Sequence, residues 1–219
     1  VVVIKSQYLQ IQSRVKEIAI EHGRDPNSIT LIAVTKAHSV EDIRTLYDLG
    51  CRNFGENRVD VALGKMNQLP TDIKWHMIGS LQKNKVRKAI GKFELIHSVD
   101  TPELAKKISE CSMEAGLKTR VLLQANTSGE ESKQGLIENE WKIRFEEVQN
   151  LAGLQIEGMM NMAPLINDEK VIKNCFAKLR RLAESLGLKE LSMGMSQDYP
   201  IAIAEGATLL RLGTALWCD

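Results

Sequence analysis

Two cationic side chains stand inside apolar runs of this sequence, and each precedes a stretch suited to holding a ligand. Lys36 closes the run Leu31-Ile32-Ala33-Val34-Thr35-Lys36, and Arg211 interrupts Leu209-Leu210-Arg211-Leu212-Gly213. A lysine drawn into an apolar site tends to lose its proton or find a partner, and the neutral amine condenses with carbonyls. The competing reading is a lysine that snorkels out of a strand end. A guanidinium has no such escape, because it does not deprotonate and must be given an acceptor. For Arg211 an inward acid such as Glu56 in a structural salt bridge is one candidate. Near the same end of the chain, Ser192-Met193-Gly194-Met195-Ser196 and Gly213-Thr214 supply hydroxyls, small residues and backbone amides of the kind that cradle phosphate. Ordinary turn chemistry uses the same residue types. His76 follows Trp75 in an apolar run, where a satisfied core histidine is expected ahead of a ligand, and the four scattered histidines and four unclustered cysteines make no metal site.

The elements that must position these residues are short. Apolar runs recur at 31–36, 53–57, 75–79, 95–100, 120–127, 156–163, 191–196 and 209–213, with starts 18 to 36 residues apart. That is the spacing of strand-plus-helix units. Runs apolar on both alternating faces are strands covered on both sides, as in a parallel sheet. Helical punctuation lies between them. Ser39 with Asp42 forms a capping box, Thr101-Pro102-Glu103 is an N-cap with a first-turn proline, and 168–186 places Val171, Cys175, Leu179, Leu182 and Leu186 on one face before Gly187. A further helix over 7–22, carrying Leu9, Ile11, Val15, Ile18 and Ala19, precedes the repeat. The pattern predicts the α/β class, a single (β/α)8 TIM barrel with an extra N-terminal helix, all in one domain over 1–219. A doubly wound open sheet is the alternative. In a barrel the strand ends share one mouth, which would gather Lys36, Glu56-Asn57, Asp100, Met195-Ser196 and Gly213-Thr214.

Bulk properties narrow the partners. A chain of 219 residues can bury roughly 70–75% of its unfolded surface. Lysine plus arginine (29) nearly balances aspartate plus glutamate (28), so no global field favours nucleic acid or a membrane. Cys51, Cys111, Cys175 and Cys218 lie far apart and read as reduced thiols of a cytoplasmic protein. Val1-Val2-Val3-Ile4 is too short for a signal or spanning segment.

Taken together, Ala33-Val34-Thr35-Lys36, Phe54-Gly55-Glu56-Asn57, Trp75-His76-Met77-Ile78-Gly79-Ser80, His97-Ser98-Val99-Asp100, Ser132-Lys133-Gln134-Gly135, Gly158-Met159-Met160-Asn161-Met162-Ala163-Pro164, Ser192 through Ser196 and Arg211-Leu212-Gly213-Thr214-Ala215 resemble the pyridoxal-phosphate homeostasis proteins. These look like the barrel domain of alanine racemase without its second domain. The resemblance implies a covalent aldimine between Lys36 and pyridoxal phosphate, with Ser196 and the Gly213-Thr214 amides on the phosphate. It also implies Arg211 opposite the pyridine nitrogen, Asn57 beside the cofactor, and His76 and Met195 within the binding set. An arginine opposite that nitrogen disfavours its protonation and weakens the ring as an electron sink. Thr35 stands where the family commonly has serine, Asn161 where it has threonine, and Gln197 and Pro200 alter the turn after strand seven.

A racemase of this fold needs a tyrosine from a second domain opposite the lysine, and only Tyr8, Tyr47 and Tyr199 are present. The expectation is therefore a non-enzymatic, monomeric carrier of pyridoxal phosphate acting in vitamin B6 and amino-acid or keto-acid balance, with apo-enzymes as recipients. Weak racemase activity is the first alternative. A cofactor-free Schiff-base aldolase is the second.

Overall fold

In the computed structural model, which describes residues 2–130 and 133–217, eight parallel strands close into a barrel in sequence order. The strands are β1 (Thr30–Val34), β2 (Asn53–Glu56), β3 (Lys74–Met77), β4 (Leu95–Val99), β5 (Thr119–Gln124), β6 (Leu154–Met160), β7 (Glu190–Ser192) and β8 (Leu209–Leu212). Helices α1 (Val2–Glu21), α2 (Val40–Asp48), α3 (Val59–Met66), α4 (Val86–Ala89), α5 (Pro102–Glu114), α6 (Glu138–Arg144), α7 (Glu169–Ser185), α8 (Tyr199–Ala204) and α9 (Thr214–Trp217) alternate with them. The barrel closes where β1 pairs with β8, setting Ile32 beside Arg211 and Ala33 beside Leu212. No helix among the described residues is long and apolar enough to cross a membrane. Val1, Ser132, Cys218 and Asp219 of the sequence reading lie outside the described residues.

Strand alternation divides the apolar residues into two layers. Ile32, Leu95, Leu122, Met160 and Leu209 form a small cluster inside the barrel. Ala33, Phe54, Met77, Ile96, Leu123, Met159, Leu210 and Leu212 face outward into the main core against the helices. Each fully buried aliphatic or aromatic side chain contributes about 1.5–3 kcal/mol, so the outer layer carries most of the stability and frees part of the interior for polar groups.

The helix punctuation is as expected at α2, whose capping box joins Ser39 and Asp42, and at α5, where Thr101 Oγ1 accepts from Leu104 N at 3.2 Å. Two helical faces differ from their prediction. In α7 the buried stripe is Ile172, Cys175, Phe176, Leu179, Leu182 and Ala183, so Cys175, Leu179 and Leu182 lie on it as expected, while Val171 is exposed and Ile172 takes its place. In α1 Tyr8 replaces Leu9 on the buried face beside Ile11, Val15, Ile18 and Ala19, and Leu9 faces solvent. Helix α1 packs on α2, α8 and α9 outside the repeat. Strand β7 is shorter than its apolar run, since Gly194 turns the chain at φ +93 and leaves Met195 and Ser196 on a loop. A side chain at 194 would be strained at that φ and would also bring a Cβ to 2.6 Å from Ala202.

Candidate functional site

A cavity of about 410 Å³ opens at the carboxyl end of the strands, within the range of small-ligand sites. Lys36, Met195, Ser196, Arg211, Gly213 and Thr214 all line it, with the loop Ala163–Asp168 on the opposite side. Asn57 and His76 do not line it. Asn57 is exposed at the end of β2, packed so closely on Gly79 that a Cβ there would lie 2.5 Å from the Asn57 carbonyl oxygen. His76 is buried within the barrel.

Lys36 lies in the turn after β1 and is exposed at the cavity, which corrects the expectation of a lysine buried by its own strand. Its position is fixed through the residue before it. Thr35 N donates to Gly55 O at 2.9 Å, and Thr35 Oγ1 donates to Glu56 Oε1 at 2.8 Å. Lys65 of α3 donates to both the Thr35 carbonyl at 2.6 Å and Glu56 Oε1 at 2.5 Å. Glu56 is fully buried and the Lys65 side chain is 12% exposed, so this ion pair sits behind the wall that carries Lys36. From the other side, Trp217 Nε1 donates to Val34 O at 2.7 Å and its ring stacks on His38 at 4.1 Å.

Arg211 contrasts with this. It is only 5% exposed, and its partner is not Glu56. Nη1 donates to Ser192 Oγ at 2.5 Å and Nη2 to the Asn161 carbonyl at 2.8 Å. Glu56 shares the outward parity of Phe54 and is already bound to Lys65, which is why it cannot serve. Burial pulls the guanidinium down to about 10, opposed by the negative field of Asp198. Asp198 is itself raised by burial, with the Met195 amide and Arg211 acting against that. Its carboxylate accepts from Met195 N at 2.6 Å and so fixes the loop that carries Ser196.

Beside it two backbone amides converge on one oxygen. Gly213 N and Ala215 N donate to Ser196 Oγ at 3.2 and 3.0 Å. These amides lie at the start of α9, where negative charge is favoured, and in this structure Ser196 Oγ is the acceptor they share. The donor set therefore fits a phosphate, and the nearby amine fits an aldehyde, within one cavity.

Sequence reasoning overlooked Lys65 and Asp198, and it named Ser192 and His97 only within motifs, without their supporting role inside the barrel. Parity offered a signal for that role. His97 shares the inward phase of Leu95, as Ser192 shares that of Glu190, so both were readable as barrel-interior polar groups. None of the three tyrosines lines the cavity. Tyr8 is buried on α1 and accepts from Gln12, Tyr47 donates to Asp72 on the surface, and Tyr199 begins α8. The thiols of Cys51, Cys111 and Cys175 are free and buried.

The chain was compared with known proteins. The family model of the alanine racemase N-terminal domain matches residues 10–219. The pyridoxal phosphate homeostasis protein of Synechocystis sp. is 42% identical over 202 residues, spanning 89% of this chain and 93% of that protein. PipY of Synechococcus elongatus, in a structure with PLP bound, superposes with a TM-score of 0.81 at 38% identity, covering 93% of this chain and 99% of that one. Alanine racemase of Clostridium difficile shares the fold at a TM-score of 0.76 and 16% identity, with 87% of this chain matched to 55% of the enzyme. By these matches the chain belongs to the alanine racemase N-terminal domain family and, within it, to the pyridoxal phosphate homeostasis proteins.

Proposed function

We propose that this protein binds pyridoxal phosphate at the cavity and holds it for release to other proteins, without turning over a substrate. The observation that carries this reading is the convergence of Lys36, Arg211, Ser196 and the Gly213 amide on one pocket. When bound, the cofactor supplies an aldehyde for an amine and a phosphate for an anion site. Lys36 presents its amine from a wall stiffened by Glu56 and Lys65. Ser196, with the amides of Gly213 and Ala215, offers hydrogen bonds to the phosphate, and Thr214 flanks it. Met195, on the loop that carries Ser196, lines the same cavity and would contact the bound cofactor. Arg211 would hold the ring nitrogen by donating a hydrogen bond without transferring its proton, which would keep that nitrogen unprotonated and the ring a poor carbanion sink. Asn57, which follows β2, and His76, buried within the barrel, do not line the cavity, so neither is given a direct contact with the cofactor.

The racemase alternative lacks its second acid/base group, since no tyrosine lines the cavity. Apo-enzymes that depend on pyridoxal phosphate are the proposed recipients, the protomer is proposed to act as a monomer and a single domain, and buried free thiols support a cytoplasmic site of action.

The test is the visible spectrum of the purified protein beside Lys36→Ala, followed by borohydride reduction and peptide mapping. A yellow wild type, a colourless variant and a pyridoxyl adduct on Lys36 are expected. A colourless wild type that cannot be reconstituted would overturn the reading and favour the aldolase. Exchange of an amino acid's α-proton for deuterium above the rate of free cofactor would instead restore the racemase.

A further inference from the structure

Beneath the cavity, inside the barrel, five side chains stand in single file. Asn53 Oδ1 lies 3.1 Å from His76 Nε2, His76 Nδ1 lies 3.0 Å from His97 Nε2, and His97 Nδ1 lies 2.8 Å from Ser192 Oγ. Ser192 Oγ in turn accepts from Arg211 Nη1. The roles along the file can be worked out from either end, because each end has only one role to play. An amide oxygen accepts, so His76 carries its proton on Nε2 and accepts at Nδ1. His97 must then carry its proton on Nε2 and accept at Nδ1, which requires the Ser192 hydroxyl to donate to it. A guanidinium only donates, so Ser192 Oγ accepts from Arg211 and its one proton is left for His97. Both derivations give the same assignment.

That assignment has an electrostatic sense. Each member turns its lone pair toward Arg211 and its N–H or O–H away, so the negative end of every dipole points at the guanidinium. Among the described residues no carboxylate hydrogen-bonds to Arg211, whose partners are a hydroxyl and a carbonyl, and Asp198 acts on it only through its field. A line of aligned dipoles in a low dielectric can add to that field where no carboxylate makes direct contact. Protonating either histidine would break the file, since a second N–H would confront another donor. The surroundings act in the same direction. Burial and the charges of Arg120 and Lys74 push His76 down to about 3, and burial with His76 and Arg211 pushes His97 well below its usual range.

We propose that Asn53, His76, His97 and Ser192 are positioning residues for Arg211, a one-way hydrogen-bond file that keeps the guanidinium charged and aimed at the cofactor's ring nitrogen. The ring-nitrogen half rests on the cofactor reading given above. The file itself does not, and it can be read in the apoprotein.

The first experiment is ¹⁵N NMR of the histidine side chains in wild-type apoprotein from about pH 5.5 to about pH 8. His76 and His97 should both be neutral Nε2–H tautomers that do not titrate across that range. A charged His76 or His97, or an Nδ1–H tautomer at either, overturns the file. The second uses pyridoxal phosphate labelled with ¹⁵N in the ring, bound to wild type, Ser192→Ala and Ser192→Thr. The alanine variant should shift the ring resonance and weaken binding by about tenfold or more, as expected for loss of a hydrogen bond to a charged group, and threonine should restore both. An alanine variant with unchanged resonance and affinity overturns the positioning role. A wild type that takes up no cofactor overturns the cofactor reading and the positioning role together, and is distinguished from failure of the file by the apoprotein tautomers.

Discussion

Two cations share one cavity, and the protein holds them by opposite means. Lys36 is exposed, and what is buried is the ion pair behind it, Glu56 with Lys65, on the helix side of the barrel wall. Arg211 is buried, and its contacts are neutral groups inside the barrel. The difference matches the roles proposed for them. A lysine that is to exchange a covalent partner would need reach and access, with order imposed on its backbone. An arginine that is to hold its place and charge would need its fork fixed directly. Neutral hydrogen bonds do this without a carboxylate that would compete with the ligand for the guanidinium.

The comparison can be broken most forcefully on the lysine side. Glu56→Gln leaves Lys65 charged and nearly buried beside an amide, and should cost about 3–5 kcal/mol of stability, measured by urea unfolding. A loss near zero would mean that the pair is solvated and does not stiffen the Lys36 turn.

Acid should expose the arginine side next. His76 is held at about 3 in the folded chain against an ordinary 6.5, and His97 is lowered too. The unfolded chain therefore binds more protons than the folded one between these limits, and stability falls as pH drops below about 6.5. The slope is about 1.4 kcal/mol per pH unit for each histidine. Urea midpoints at about pH 7, 6 and 5 check this, and a flat profile would show that the histidines charge freely in the native state. The smallest effect belongs to Lys36 itself. Lys36→Ala removes an exposed side chain and should change stability by no more than about 0.5 kcal/mol while abolishing the covalent adduct. A large loss would make Lys36 a structural residue.

Both cations were legible in the sequence, because strand alternation fixes parity. Arg211 could be aimed inward with Leu209 from residue order alone, and the eight apolar runs were enough for the barrel. Partners were less legible, since they come from other strands at heights set by register and barrel stagger. Glu56 was proposed for Arg211 although its parity with Phe54 sends it outward, and Lys65, its actual partner, reaches it from α3. Ser192 and Arg211 meet because the short β7 contacts β8 through Ser192 and Leu209, a register that no periodicity states. Val171 failed for a simpler reason. It lies four residues before Cys175 and Ile172 lies three before it, so both spacings put an apolar residue near the stripe, and the structure buries Ile172.

The seam between β1 and β8 also sets the order in which the pocket can come into being. Lys36 precedes by some distance along the chain the strand that must lie beside its own, the arginine across from it and the Trp217 clasp on Val34. During synthesis the lysine therefore emerges well before the groups that complete its pocket. Ligand capture at this cavity would accordingly report that β8 has docked on β1.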